Sequence, residues 1–255
     1  MRKSRPTRYA AKGLVGLLTP QANTTVEPEV HVLSPSSVGF LNARMTSSGN
    51  SVEARLVDYG KNVEKQVSQF ANAPLDAFAL AVTGTSYFLG PKAEDQMVER
   101  FQQNAQRPLV TAARALCDGL DALEARSVAL LSPYDDTITR RSIDYWTARG
   151  YEVTALTNVK TDPNAFHPIY ALSPDMADEA LDKMDTTHAD AVLLLGTGMP
   201  TLPLIEKRYV DGEAPLLSSV LALVWRSVLA VENKPPDRDG LDVWLSGDNW
   251  RHRLG

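Results

Sequence analysis

The sequence predicts an α/β fold with parallel sheets in two lobes, and three observations predict it. Four short apolar runs each stop abruptly at small or turn-forming residues: Leu14–Leu18, Ala77–Val82, Ser127–Leu131 and Ala191–Leu195. Such runs have the length and composition of fully buried strands. Stretches of helical patterning lie between them, and strands alternating with helices imply βαβ units. The two halves also share one layout, so the lobes are expected to be pseudo-symmetric and Rossmann-like, with a site in the cleft between them.

In chain order, Leu14–Leu18 is the first strand and ends at Thr19-Pro20. An Asn23-Thr24-Thr25 cluster then opens a helix. Val38–Arg44 is a second strand, followed by helical patterning over Val52–Phe70. Ala77–Val82 ends at Thr83-Gly84-Thr85-Ser86, and a helix over Lys92–Asn104 leads to a short strand at Leu109–Val110. Thr111–Ala125 is the helix that joins the halves. The second half repeats the order with Ser127–Leu131, a helix over Ile138–Arg149, and strands at Glu152–Thr157, Ala191–Leu195 and Leu216–Ser218; Leu204–Tyr209 is helical. The first lobe is expected over residues 13–112 with 218–255 returning to it, and the second over 113–217.

A chain of 255 residues with 44% hydrophobic residues can bury a sizeable core. Its net charge of −5, with both signs mixed along the chain, argues against a nucleic-acid partner. The basic start Arg2, Lys3, Arg5 and Arg8 lacks a following apolar segment and reads as a solvated tail. No run approaches a membrane span, so a cytoplasmic protein is expected, its oligomeric state left open. The single cysteine, Cys117, excludes an internal disulfide, and four scattered histidines give no metal-ligand spacing, so no metal is expected. Gly13-Leu14-Val15-Gly16 lies inside a strand and no phosphate-cradling loop is present, so no cofactor is expected.

In parallel sheets ligands bind beyond the carboxyl ends of the strands, which makes the four strand ends the candidate site. At the first, Asn23, Thr24 and Thr25 offer an amide, hydroxyls and free N–H groups suited to a carboxylate. An ordinary helix N-cap uses the same residues, and on chemistry alone the cap is favoured. At the second, Thr83, Gly84, Thr85 and Ser86 read on their own as a loop of small residues closing onto a helix.

The string from Thr19 to Glu29, "TPQANTTVEPE", resembles the opening loop of maleate cis-trans isomerases, and Met199-Pro200-Thr201-Leu202-Pro203 resembles their second cysteine motif. The Gly84-Thr85-Ser86 triplet is similar to that of arylmalonate decarboxylases, where glycine replaces the first cysteine, and Pro133-Tyr134 matches a further family step. Over roughly Gly13 to Val231 the chain therefore resembles the aspartate/glutamate racemase superfamily. That resemblance implies a substrate carboxylate bound by Asn23, and an oxyanion pocket of Thr85, Ser86 and Tyr134. It also implies contributions from Thr24, Thr25, Thr83, Gly198 and Met199, with Asn164 matching a cleft asparagine. Tyr87, Phe88, Met199 and Trp225 are candidates to shape an apolar subsite.

Both family cysteines are absent. Gly84 stands at the first position and Leu195 or Gly196 at the second, and neither site can transfer a proton or attack carbon. Two-base racemisation and covalent isomerisation lose their reacting groups. Decarboxylation of a malonate-type acid needs only an enediolate pocket and one final proton, for which Tyr134 and Thr197 are candidates. The expectation is a cofactor-independent lyase on a small (di)carboxylic acid. The alternatives are an isomerase or racemase using non-cysteine groups, a water-using hydrolase, and a carboxylate-binding protein without catalysis.

Overall fold

The computed structural model describes residues 8–162 and 164–254. Arg2, Lys3, Arg5 and Pro163 lie outside the described residues. The first half contains β1 (Gly13–Pro20), α1 (Val26–Leu33), β2 (Val38–Met45), α2 (Val52–Lys61), α3 (Val63–Val67), β3 (Ala77–Leu80), α4 (Thr83–Leu89), α5 (Pro91–Ala105) and β4 (Leu109–Thr111). Helix α6 (Ala112–Ala122) leads into β5 (Ser127–Ser132), α7 (Asp136–Ala148), β6 (Glu152–Asn158), α8 (Pro174–Leu181), β7 (Ala191–Leu194), α9 (Leu202–Arg208) and β8 (Leu216–Ser218). Two helices, α10 (Ser219–Glu232) and α11 (Arg238–Leu245), complete the chain.

Each half forms a four-stranded, all-parallel sheet, in the orders β2-β1-β3-β4 and β6-β5-β7-β8. The two orders are one pattern, second-first-third-fourth, so the expected pseudo-symmetry is present. The central strands β1 and β5 are almost wholly buried, while the edge strand β6 leaves Glu152, Leu156 and Asn158 exposed. Register follows the apolar runs, with Val15 opposite Ala77 in the first sheet and Val128 opposite Ala191 in the second. Helix α10 is apolar almost all round and is covered by α1, α6 and the strands of the first sheet. Among the described residues no helix is long and apolar enough to cross a membrane.

Two local departures from the sequence expectation have physical causes. The helix expected over Val52–Phe70 breaks at Asn62, whose φ of −115° and ψ of 18° leave the helical region. The Asn62 amide turns back to the Asp58 carbonyl and carboxylate, at 3.0 and 2.7 Å, and terminates α2. Conversely, the small residues after β3 form a helix of their own. Thr83–Leu89 is helical directly from the strand end and stops at Gly90, whose φ of +74° favours glycine.

Polar clamps between the lobes bring the strand ends face to face. From the first lobe Asn23 Nδ2 donates to the Thr197 carbonyl at 3.1 Å, and Thr25 Oγ1 to the Gly198 carbonyl at 2.8 Å. Thr197 Oγ1 returns a bond to the Ala81 carbonyl at 2.8 Å. Arg149, at the C-terminal cap of α7, pairs with Glu94 and Asp95 of α5 at 2.9 and 2.8 Å.

Candidate active site

A cavity of about 260 Å³ opens at the carboxyl ends of both sheets. The first lobe contributes Val82 and Thr83 beyond β3, and Val52, Arg55, Leu56 and Tyr59 from α2. The second contributes Tyr134 beyond β5, Gly196, Thr197 and Gly198 beyond β7, and an aromatic loop carrying Phe166, His167 and Tyr170. No Asp or Glu lines it among the described residues. A larger depression of about 410 Å³ lies beside Asp190 and Pro215, at the amino ends of β7 and β8. Its arginines are already paired, Arg208 with Asp178 and Arg238 with Asp242, and the strand polarity points away from it.

Tyr134 is the centre of the polar wall. Its ring packs edge-on against the buried Tyr87, with centroids 6.1 Å apart. Burial pushes the phenol well up, aided by the neighbouring Tyr170 phenol, while the Thr83 hydroxyl and the Gly84 N–H act in the opposite direction. The phenol therefore keeps its proton across the physiological range and serves as a donor. Thr83 Oγ1 is itself buried without a hydrogen-bond partner of normal geometry, in a wall where a bound carboxylate oxygen could supply one.

The two missing-cysteine positions differ sharply. A Cβ on Gly196 would stand 3.1 Å from the Tyr134 hydroxyl and 2.9 Å from Pro133 Cγ, and its φ is +82°. Leu195 is fully buried and outside the lining, so Gly196 is the residue of the pair that faces the cavity. A Cβ on Gly84 would meet only the tip of Leu56, at 2.8 Å. Gly198 lies under Tyr170, whose ring carbons would be 2.5 Å from a Cβ.

Several residues expected at the site are occupied elsewhere. The Asn23 side chain is buried, with Oδ1 accepting the N–H groups of Thr25 and Val26 at 2.8 and 2.9 Å and Nδ2 spent on Thr197. It orders the turn that leads into α1, whose N-cap is Thr25. Thr24 is exposed and outside the lining, and Thr25 is committed to the Gly198 carbonyl. Thr85 Oγ1 donates to the Leu56 carbonyl at 2.9 Å, and Ser86 Oγ to Glu94 at 2.6 Å, so neither hydroxyl is free for the cavity. The Thr197 hydroxyl is held by Ala81. Asn164 is exposed and Met199 fully buried, and neither lines the cavity. Tyr87, Phe88 and Trp225 do not line it either; Val52, Leu56, Val82, Phe166 and Ile169 form its apolar part.

Sequence reasoning missed Arg55 and His167. Arg55 carried a readable signal: Val52, Arg55, Leu56 and Tyr59 fall at i, i+3, i+4 and i+7, placing one cation inside the inward-facing stripe of α2. His167 lies in a loop with no periodicity to betray it. Its Nδ1 accepts the N–H groups of Ile169 and Tyr170 at 3.2 and 3.4 Å, leaving the proton of the neutral ring on Nε2. Burial, reinforced by the Arg55 charge, lowers its pKa to about 4. Cys117 sits on α6 outside the cavity, and burial pushes its thiol up to about 12.

Comparison with known proteins decides the family. A sequence profile described as arylmalonate decarboxylase matches residues 15–240. The chain belongs to the arylmalonate decarboxylase family. Among curated relatives of this family member, the maleate isomerase of Geobacillus stearothermophilus is 27% identical over 234 residues, covering 86% of this chain and 92% of that protein. The structure of Nocardia farcinica maleate cis-trans isomerase with a covalently bound succinylcysteine intermediate superposes with a TM-score of 0.73 at 25% identity, covering 88% of this chain and 94% of that one. A crystal structure of arylmalonate decarboxylase gives 0.65 at 20% identity, covering 86% and 92%, and shows the shared fold. The family member is thus an α/β enzyme-family protein related to both maleate isomerases and arylmalonate decarboxylases.

Proposed function

We propose that this chain is a cysteine-independent enzyme that binds a small dicarboxylate in the cleft and works through an enediolate, with isomerisation of a maleate-type acid favoured over decarboxylation of a malonate. The observation that carries this reading is the Tyr134 hydroxyl, 3.1 Å from the point where a side chain on Gly196 would begin. A protonated phenol fills the space beside the absent thiol. With Thr83 Oγ1 it forms a pair of hydroxyl donors for a carboxylate that gains charge.

Both reactions pass through an enediolate. In isomerisation a hydroxide ion from the solvent adds to one alkene carbon, and the π pair moves into the carboxylate on the other carbon as an enediolate. The former double bond then rotates and hydroxide is expelled. In decarboxylation the carbon–carboxylate bond breaks, carbon dioxide leaves, and the retained pair forms the enediolate, which takes a proton at carbon. The curated relatives named maleate isomerase favour the first reaction. The match to the arylmalonate decarboxylase family supports the second. Covalent addition of a cysteine is not open to this cavity, whose lining contains none among the described residues.

Proton NMR of the enzyme with maleate in heavy water, beside carbon dioxide release from phenylmalonate and methylmalonate, tests the proposal. Fumarate formation is the expected result. Carbon dioxide release with maleate untouched would replace it with the decarboxylase reading. Tight binding of these acids with no turnover of any would leave a carboxylate-binding protein.

A further inference from the structure

Arg55 stands out among the charged side chains of the described residues. Its Nη1 donates to the Gly49 carbonyl at 3.2 Å, and no carboxylate pairs with it. The acid at i+3 on the same helix, Asp58, is held by the Asn62 amide at 2.7 Å. Arg55 lies instead on the cavity wall, and its charge is felt at three other lining groups, Tyr59, His167 and Tyr170. His167 adds an Nε2–H, because its Nδ1 is occupied by backbone donors. A half-buried guanidinium without a counter-ion, in a lining free of acids, is an incomplete ion pair.

The cavity therefore has two polar parts. One is the pair of hydroxyls of Tyr134 and Thr83, assigned above to the carboxylate that becomes the enediolate. The other is Arg55 with His167, carried on α2 and on the aromatic loop. Val52, Leu56, Val82 and Ile169 supply the apolar surface of the same cavity. A monocarboxylate satisfies one part and leaves the guanidinium unpaired; a dicarboxylate satisfies both.

We propose that Arg55 is the specificity-determining residue of this site, binding the second, non-reacting carboxylate so that the enzyme selects dicarboxylates over monocarboxylates of the same length. The inference rests on the reading of the cleft as a carboxylate site. Binding energy placed on the remote carboxylate orients the reacting one against Tyr134.

Calorimetric titration with succinate and butyrate, four-carbon acids differing by one carboxylate, tests it on wild type, Arg55→Met, Arg55→Lys and Tyr134→Phe. Arg55→Met is expected to weaken succinate about 10- to 100-fold, the range for a lost charge-assisted pair, while changing butyrate less than about twofold. Arg55→Lys is expected to recover part of the succinate affinity, and thermal melts of both variants to stay close to wild type. Equal weakening of both acids, or unchanged succinate binding in Arg55→Met, overturns the assignment of Arg55 while leaving the cleft as a carboxylate site. If wild type binds neither acid, or if Tyr134→Phe binds both as wild type does, the reading of the cleft itself fails and the assignment of Arg55 falls with it.

Discussion

Glu29 reaches from α1 into the second lobe, where its carboxylate accepts the Leu202 N–H at 3.1 Å at the start of α9. The same group accepts the Thr201 N–H and hydroxyl. It is buried, and burial raises its pKa to about 7 from an ordinary 4.5, against the lowering effect of those bonds. A carboxyl raised on folding favours the protonated native state. Its contribution is complete below about pH 4.5 and is lost as pH rises through 7. The difference corresponds to on the order of 3 kcal/mol. His167, lowered to about 4, acts in the opposite direction across part of that window, so the wild-type profile is a sum. Glu29→Gln keeps both backbone acceptor bonds and removes one titration. The melting temperature of wild type minus that of Glu29→Gln is expected to fall steadily from pH 4.5 to 7.5; a flat difference would show that Glu29 does not titrate in that range.

Ser86 and Tyr145 hold a buried carboxylate and not a substrate. Glu94 accepts from Ser86 and Thr111 at 2.6 Å, from Tyr145 at 2.5 Å and from Arg149 at 2.9 Å. Removing one donor from a buried charged acceptor costs about 1–3 kcal/mol. Ser86→Ala and Tyr145→Phe should each lower the denaturation midpoint accordingly, with turnover per folded molecule within about twofold of wild type. A tenfold loss of kcat in Ser86→Ala at unchanged stability would return its hydroxyl to the active site.

Tyr134→Phe should behave in the reverse way. Its phenol accepts no structural load beyond the contacts with Thr83 and Gly84, and the ring stays packed on Tyr87. Stability is expected to change by less than about 1 kcal/mol, while loss of an oxyanion donor lowers kcat about 10²- to 10³-fold. Unchanged kcat with a folded protein would remove Tyr134 from the chemistry.

The fold was legible because buried parallel strands read as uninterrupted apolar runs; Leu14–Leu18 and Ser127–Leu131 became the centres of their sheets. Strand polarity then located the cleft. What periodicity could not convey was the direction of each hydroxyl. Thr83, Thr85 and Ser86 sit on one short helix, and Thr83 lines the cavity while the hydroxyls of the other two bond Leu56 and Glu94. Asn23 was readable as a residue of the helix start, and the family resemblance drew it toward the substrate. Arg55 and His167 enter from elements remote in sequence from the strand ends, and only the tertiary fold brings them to the cleft.

Gly84 and Gly196 should respond unequally to gaining a side chain. At Gly84, inside α4, a side chain meets only the flexible end of Leu56, and exchanging glycine within a helix for another residue recovers up to about 1 kcal/mol of backbone entropy. At Gly196 the φ of +82° costs a side chain about 1–3 kcal/mol, and the new Cβ crowds Pro133 at 2.9 Å and displaces the Tyr134 hydroxyl. Gly84→Cys is therefore expected to melt near wild type and Gly196→Cys several degrees lower. Cys117, with its thiol pushed up to about 12, stays unlabelled by iodoacetamide at pH 8, so mass spectrometry should find a single adduct in Gly84→Cys and none in wild type. A thiol at position 84, on the residue whose backbone N–H contacts the Tyr134 phenol, also supplies a proton carrier. Gly84→Cys should raise deuterium exchange at the α-carbon of a dicarboxylate above wild type, and Gly196→Cys should not. Equal stability of the two variants, or exchange gained only at position 196, would mean that the Tyr134–Gly196 contact does not exclude a side chain there.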